Sequence, residues 1–405
     1  MPKRKDTSRD HSNEIDVQYQ KYTFGEQTRE EDLQYLRKKS KKDQDHFIEK
    51  LSRLYTLSAN STPLMFRLLE STMPDPFKFI AYKKILDLAN DHSGKLYPWI
   101  DAFLRIPQKV VPLPVDYSQP SACHLFLKEC EISLDQCTYG MRKAKDQFLQ
   151  LLGKWIVNPS SMGTAIALKG PMGTGKTTLI KHGISKLLNR PFAFVPLGGA
   201  SDGCFLEGHS FTYEGSTYGK IVDILIQSKV SNPVIFFDEL DKISEKGSDV
   251  TGILTHLIDT TQNTQFHDKY FSELDFDMSK CLFVFSYNDE SLVNPILRDR
   301  MTTIEIPGYD KSEKVIIARD YLVPELEKEY NLHIEWTDAL LELVLEKTET
   351  EAGVRNLKRS LDTLYSKLNL RRLLHPSITF PFRITVEEIN ALSVVVEPAY
   401  SAMYL

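Results

Sequence analysis

Residues 170–177 read Gly170-Pro171-Met172-Gly173-Thr174-Gly175-Lys176-Thr177 and match the pattern G-x-x-x-x-G-K-[ST]. An apolar run at 165–168 precedes the loop, and Thr178-Leu179-Ile180-Lys181 opens a helix after it. Strand, glycine-rich loop and helix in that order point to an open sheet that carries the loop at the carboxyl end of a strand. The glycines let the loop curl so that successive backbone N–H groups point inward at a β-phosphate, and the helix N-terminus adds its partial positive charge. Lys176 is expected to bridge the β- and γ-phosphates of ATP, and the Thr177 hydroxyl to ligate Mg²⁺.

The rest of the chain is read around that loop. Apolar runs at 165–168, 192–195, 234–237, 282–285 and 303–306 are five candidate strands, separated by segments long enough for crossover helices. That alternation predicts a parallel sheet covered on both faces. Beyond Pro307 the strands mostly stop: 311–330, 337–347 and 351–374 read as helices, and FRITVEEINALSVVV as a short strand followed by a short helix. On the other side of the sheet region, Met141, Ala144, Phe148, Leu151, Leu152 and Trp155 put one apolar stripe on a helix starting near Gly140. Pro107, Pro112, Pro114 and Pro120 mark a linker. Before them, Phe47, Leu51, Leu54 and Leu57, and then Ile80, Ile85, Leu86 and Leu88 after breaks at Pro74 and Pro76, indicate a small helical module. The expected divisions are a charged tail at 1–46, a helical neck and linker at 47–120, an α/β domain at 121–309 and a helical domain at 310–405.

Charge limits the partners. Lys and Arg number 50 against 55 Asp and Glu, a formal charge of -5 with a pI near 6.1, so no overall basic field draws the chain onto phosphate backbones. Nucleic acid is left only a local patch, such as Lys3-Arg4-Lys5 or Arg37-Lys38-Lys39-Ser40-Lys41-Lys42. Of the first 50 residues 23 are charged, with both signs interleaved, which favours a solvated tail leading into a polar helix. No apolar run is long enough to span a bilayer, and the start has no hydrophobic core for a signal peptide; Asp6, Asp10 and Glu14 disfavour a mitochondrial presequence. The expectation is an intracellular protein without membrane contact, cytoplasmic, with a nuclear location as the alternative. The five cysteines include no Cys-x-x-Cys. Cys123-His124 has the makings of half a metal site, but thiols packed as small hydrophobes are the reading preferred.

Further chemistry lies about sixty residues beyond the loop, by the count of the sequence. Val234-Ile235-Phe236-Phe237-Asp238-Glu239 is an apolar strand ending in two carboxylates, which a parallel sheet delivers to the phosphate end. Asp238 is expected to hold Mg²⁺ through its water shell and Glu239 to polarise the attacking water. Asn288, just past the strand at 282–285, offers a neutral amide to steady that water against the γ-phosphate; standing alone, it would be read as a turn residue.

VIFFDELDKIS, then SKCLFVFSYNDESLVNPILRDRMTTIEIPGY, then EAGVRNLKRSLDTLY, in that order and spacing, closely resemble the AAA+ ATPase module of Lon proteases. RPFAFVPLGGASDGCFLEGHSFTYEG is similar to the Lon segment after the P-loop helix. YPWIDAFLRIP resembles the end of the Lon helical neck, and CTYGMRKAKDQF its adenine-contacting Tyr-Gly element. The resemblance runs from about residue 47 to 392 and implies a P-loop AAA+ fold: a five-stranded parallel sheet flanked by helices, an N-terminal helical neck and a C-terminal helical lid. It implies that Tyr139 and Gly140 flank the base and that Gly170, Pro171, Met172, Gly173, Thr174, Gly175, Lys176, Thr177 and Thr178 cradle the phosphates. Asp238 and Glu239 keep the roles given above. Asn288 becomes sensor 1, Arg300 the arginine finger in preference to Arg298, and Arg355 sensor 2.

A finger of this kind acts on a neighbour's γ-phosphate, so the resemblance also implies a homo-oligomer, a hexamer. Phe211-Thr212-Tyr213-Glu214-Gly215 falls where Lon places its pore loop. Tyr213 keeps the aromatic, whereas Glu214 stands where the family usually has an apolar residue, and 244–252 lacks the usual Asp-Pro. The 405 residues contain no Gly-Pro-Ser-Ala-Gly-like turn of a Ser-Lys dyad and nothing like the large N-terminal Lon domain. The reading is therefore an ATP-hydrolysing remodeller, unfoldase or translocase of a protein client, without intrinsic peptidase activity. The alternatives are a nucleic-acid-associated ATPase or loader, with Lys38 and Arg371-Arg372 as its contacts, and a nucleotide-dependent scaffold.

Overall fold

The computed structural model describes residues 16–20, 30–58, 62–91, 94–159, 164–244, 247–374 and 381–392. The extreme N-terminal residues, including Lys3-Arg4-Lys5, and the SVVV stretch at 393–396 lie outside the described residues. Two compact units are present, Met1–Leu104 and Arg105–Leu405.

The first unit is helical. Helices Glu30–Arg37, Lys41–Ser58, Leu64–Glu70, Asp75–Asp87 and Leu96–Arg105 follow one another. Pro74 and Pro76 do not merely interrupt: Pro74 caps the helix at Asp75 and Pro76 lies in its first turn, where a missing N–H costs nothing. Trp99 and Phe103 are fully buried and stacked, with centroids 5.3 Å apart.

The second unit carries the sheet. Its strands are β1 (Thr164–Lys169), β2 (Phe192–Pro196), β3 (Val234–Asp238), β4 (Phe266–His267), β5 (Asp275–Phe276), β6 (Leu282–Tyr287), β7 (Thr302–Glu305), β8 (Ile334–Glu335) and β9 (Phe382–Arg383). Five of them form one parallel sheet in the order β2-β3-β6-β1-β7, as the apolar runs predict. β6 is buried along its whole length and β3 over its first four residues, which explains why they read as continuous apolar runs rather than alternating ones. The β4–β5 pair is antiparallel and the β8–β9 pair parallel; each strand of both pairs has two residues, too few for a periodic signal.

The segment between Arg105 and Pro120 has no regular element, yet it is packed. Leu113 is buried in the sheet core, and the amide of Asn232 exchanges two hydrogen bonds of 2.9 Å with the backbone of Val111. Pro120 then occupies the first turn of a helix, Pro120–Cys137, that the proline pattern conceals. The expected apolar helix follows as Arg142–Val157.

Beyond Pro307 a separate helical core assembles from Lys311–Ile317, Val323–Tyr330, Asp338–Lys347, Arg355–Leu374 and Val386–Leu392. Asp310 starts it with a reciprocal capping box to Glu313. Among the described residues no helix is long and apolar enough to cross a membrane.

Candidate nucleotide site

β1 ends at Lys169 and the glycine-rich loop begins. Gly173 and Gly175 adopt φ of +75° and +91°, a left-handed conformation that bends the loop and that side chains rarely tolerate. The loop borders a cleft of about 440 Å³ between the sheet domain and the C-terminal helices, lined by 172–178 together with Asp238, Glu239, Asn288, Tyr139 and Arg355. Gly170 and Pro171 instead border a second groove, which shares Asn288 with the cleft, and Gly140 is not among the residues that line either.

Lys176 is 9% exposed. Its Nζ donates to the carbonyls of Gly170 (2.6 Å) and Pro171 (2.9 Å) and lies 3.5 Å from Oδ1 of Asn288. Burial lowers its pKa, opposed by the charges of Asp238 and Asp241. A desolvated ammonium beside curled backbone is the setting in which an anion with several oxygens binds strongly.

The register of β3 on β6 pairs Phe237 with Phe285, and the next residues, Asp238 and Ser286, meet through a hydrogen bond from the Ser286 hydroxyl to Oδ1 of Asp238. Glu239 takes a left-handed backbone at φ +60°, uncommon for a side chain other than Gly or Asn and associated with functional sites. Its carboxylate lies against Gly198, where an added Cβ would stand 2.4 Å from Oε2. Asn288 is steadied from below: Oδ2 of Asp241, 5% exposed, accepts the N–H groups of Asn288 and Asp289 at 3.2 and 3.1 Å. Oδ1 of Asp241 is buried without a hydrogen-bond partner among the described residues.

The far end of the cleft is aromatic. The rings of Tyr139 and Tyr309 lie 6.3 Å apart, with Ile317, Tyr321 and Leu322 around them. The Tyr309 hydroxyl donates to the carbonyls of Thr174 (2.8 Å) and Tyr139 (3.3 Å), and burial pushes its pKa up to about 12, so it remains a donor. The helical domain docks on the loop through the N–H of Val354, which donates to the carbonyl of Gly173 at 3.1 Å. This sets Arg355 on the cleft wall at the start of its helix, with Lys358 and Glu325 paired at 2.8 Å nearby.

Residues 166–308 match the family described as "ATPase family associated with various cellular activities (AAA)". A Lon protease homolog of Acanthamoeba polyphaga mimivirus is 34% identical over 355 residues, which is 84% of this chain and 34% of the relative. The chain carries an AAA domain of the Lon type. The peroxisomal Lon protease homolog 2 of Zea mays is 40% identical over 247 residues, 59% of this chain and 27% of that protein. The Lon protease of Fusobacterium nucleatum is 38% identical over 281 residues, 68% of this chain and 35% of that protein. The chain thus spans about a third of the length of these relatives or less.

Two groups expected in the Lon-type chemistry stand away from the cleft. Arg300 is not among its lining residues; it pairs with Asp259 at 3.0 Å, while Arg298 pairs with Glu290 at 3.3 Å. Tyr213 is 68% exposed, in a loop whose neighbour Phe211 packs edge-on against Tyr270 at 5.6 Å, and Glu214 is exposed beside it. Under this loop Asp268 is fully buried and accepts the N–H groups of Gly219, Tyr270 and Phe271.

Sequence reasoning missed Asp241, Ser286, Gly198, Tyr309 and Lys358. The third acid of Asp238-Glu239-Leu240-Asp241 was a signal for the first of these. The others depend on which residues the fold brings opposite one another.

Proposed function

We propose that this chain binds ATP with Mg²⁺ in the cleft, hydrolyses it, and uses the cycle to unfold, move or disassemble a protein client. The observation that carries the reading is the convergence of Lys176, Asp238, Glu239 and Asn288 on one cleft beside the left-handed glycines. The donor set fits the ligand: backbone amides and a desolvated ammonium for phosphate, and the Thr177 hydroxyl with the Asp238 carboxylate for a hard cation that arrives with phosphate and water. Bound Mg²⁺ supplies charge neutralisation at the phosphate oxygens.

The remaining work belongs to side chains. Lys176 grips the phosphates, and Ser286 holds Asp238 toward the cation. Glu239, set by its left-handed backbone, takes up a proton of the attacking water while Asn288 orients that water. Tyr139 and the aromatic end of the cleft hold the base, and Arg355 reports the phosphates to the helical domain. Arg300 is supplied by a neighbouring copy in a homo-oligomer, a hexamer, and the Tyr213 loop grips the client with Glu214 beside it. Peptide cleavage is not assigned to these 405 residues, which contain no turn suited to a Ser-Lys dyad.

Lys176→Ala is expected to abolish nucleotide binding, whereas Glu239→Gln keeps binding and loses hydrolysis; equal loss of both in the Glu239 variant removes it from the water-activating role. A pull-down with Glu239→Gln and ATP identifies the client, and recovery of nucleic acid in place of protein would favour a loader. Against that outcome, Arg371 is paired with Glu388 at 3.0 Å and Arg372 donates to the carbonyl of Asn331 at 3.1 Å.

A further inference from the structure

Arg300 follows the short helix Pro295–Asp299 as its C-cap, and its guanidinium is fixed at two positions. Nε donates to Oδ2 of Asp259 at 3.0 Å, and Nη1 donates to the carbonyl of Ile296, one turn back, at 3.2 Å. Nη2 has no hydrogen-bond partner among the described residues, and the side chain is 35% exposed.

Asp259 is itself held. It is the C-cap of helix Ser248–Ile258, and its Oδ1 accepts both the N–H (2.9 Å) and the hydroxyl (2.7 Å) of Thr261. The carboxylate therefore cannot turn from Arg300 without breaking two other bonds. Those bonds, and then Arg300, hold its pKa down to about 2, so it stays ionised near neutrality. Arg298 differs: its partner Glu290 also accepts the ammonium of Lys169 at 2.7 Å and is shared between two cations.

An exposed ion pair adds little to stability, so the informative part is its geometry. One carboxylate oxygen locked in a local turn and the other on Nε leave one edge of a planar guanidinium accessible in a single orientation. Resting on the reading that Arg300 serves a neighbouring copy's nucleotide, we propose that Asp259 is the positioning residue of that arginine. It orients the guanidinium before the subunits meet, so that the Nη2 edge reaches the partner's γ-phosphate without reorganising. Charge stabilisation of a transition state depends on such prior orientation, and a displacement of about 1 Å can cost about 100-fold in rate.

The test mixes variants with complementary defects. Glu239→Gln keeps its arginine but cannot hydrolyse; Arg300→Ala keeps its hydrolytic residues but offers no arginine. Mixed assemblies are expected to regain turnover at Arg300→Ala sites. With Asp259→Asn added to the Glu239→Gln donor, the regained kcat is expected to fall about 10- to 100-fold while KM for ATP holds. With Asp259→Asn added instead to the Arg300→Ala acceptor, the regained rate is expected to be unchanged, which also demonstrates folding and assembly of that variant.

Equal rescue by both donors, with Arg300→Ala alone inactive, overturns the positioning role. Equal loss of rescue whether the donor or the acceptor carries Asp259→Asn overturns it too, because Asp259 then serves the fold. Wild-type turnover by Arg300→Ala alone defeats the arginine reading itself, and the inference with it.

Discussion

Asp241 accepts the backbone N–H of Asn288 at 3.2 Å, and this bond fixes where the Asn288 amide sits relative to Lys176. Asp241→Ala takes the shared acceptor from the N–H groups of half-buried Asn288 and exposed Asp289, a cost of about 1 kcal/mol. The melting temperature should fall, and ATPase activity should fall further than nucleotide affinity. Asp241→Asn keeps one acceptor oxygen and should recover most of the stability. A paired measurement of melting and turnover decides this: full activity in Asp241→Ala would remove the link between this carboxylate and Asn288.

Gly198 tests Glu239 from the opposite side. An added methyl group would stand 2.4 Å from Oε2, the far end of a side chain that can swing away, so the fold should tolerate Gly198→Ala. The displaced carboxylate should then lower kcat about 10- to 100-fold, with affinity for ATP held. Steady-state kinetics alongside fluorescent-nucleotide binding separates the two quantities, and unaltered kcat would place the active position of Glu239 elsewhere.

How much of this could be read beforehand depends on how local each feature is. The phosphate loop was legible because its chemistry is contained in eight consecutive residues, 170–177. β3 and β6 were legible because strands covered on both faces are apolar throughout. Ser286 was not, since its bond to Asp238 exists only through the β3–β6 register. Gly198 lies after β2, and nothing near it in the sequence announces a carboxylate 41 positions on. Pro120 was read as the end of a linker when it starts a helix, because proline marks both. Nothing in the sequence around Tyr309 marks its role; it lies in the hinge between β7 and the helical domain, and only the fold places its hydroxyl on the Thr174 carbonyl.

That hydroxyl gives a third prediction. Tyr309→Phe keeps the aromatic wall of the cleft and removes the 2.8 Å tie between the hinge and the phosphate loop. One neutral hydrogen bond is worth about 1 kcal/mol, so ATP affinity should weaken about 5-fold. Titration with a fluorescent ATP analogue measures it; affinity at the wild-type level would leave the hinge uncoupled from the loop.

Asp268 makes stability depend on pH beneath the Tyr213 loop. Burial raises its pKa from 3.8 to about 6, against the lowering effect of three backbone N–H donors. Between those two values the folded protein holds a proton that the unfolded chain releases, so this group's contribution to stability is fully present below about pH 4 and declines as the pH rises to about 6. Melting of the wild type relative to Asp268→Ala should therefore worsen from pH 4 to 6 and level off above 7. The opposite slope, with the wild type gaining on the variant as the pH rises, would mean that the N–H groups of Gly219, Tyr270 and Phe271 outweigh burial and that the carboxylate is held as an anion.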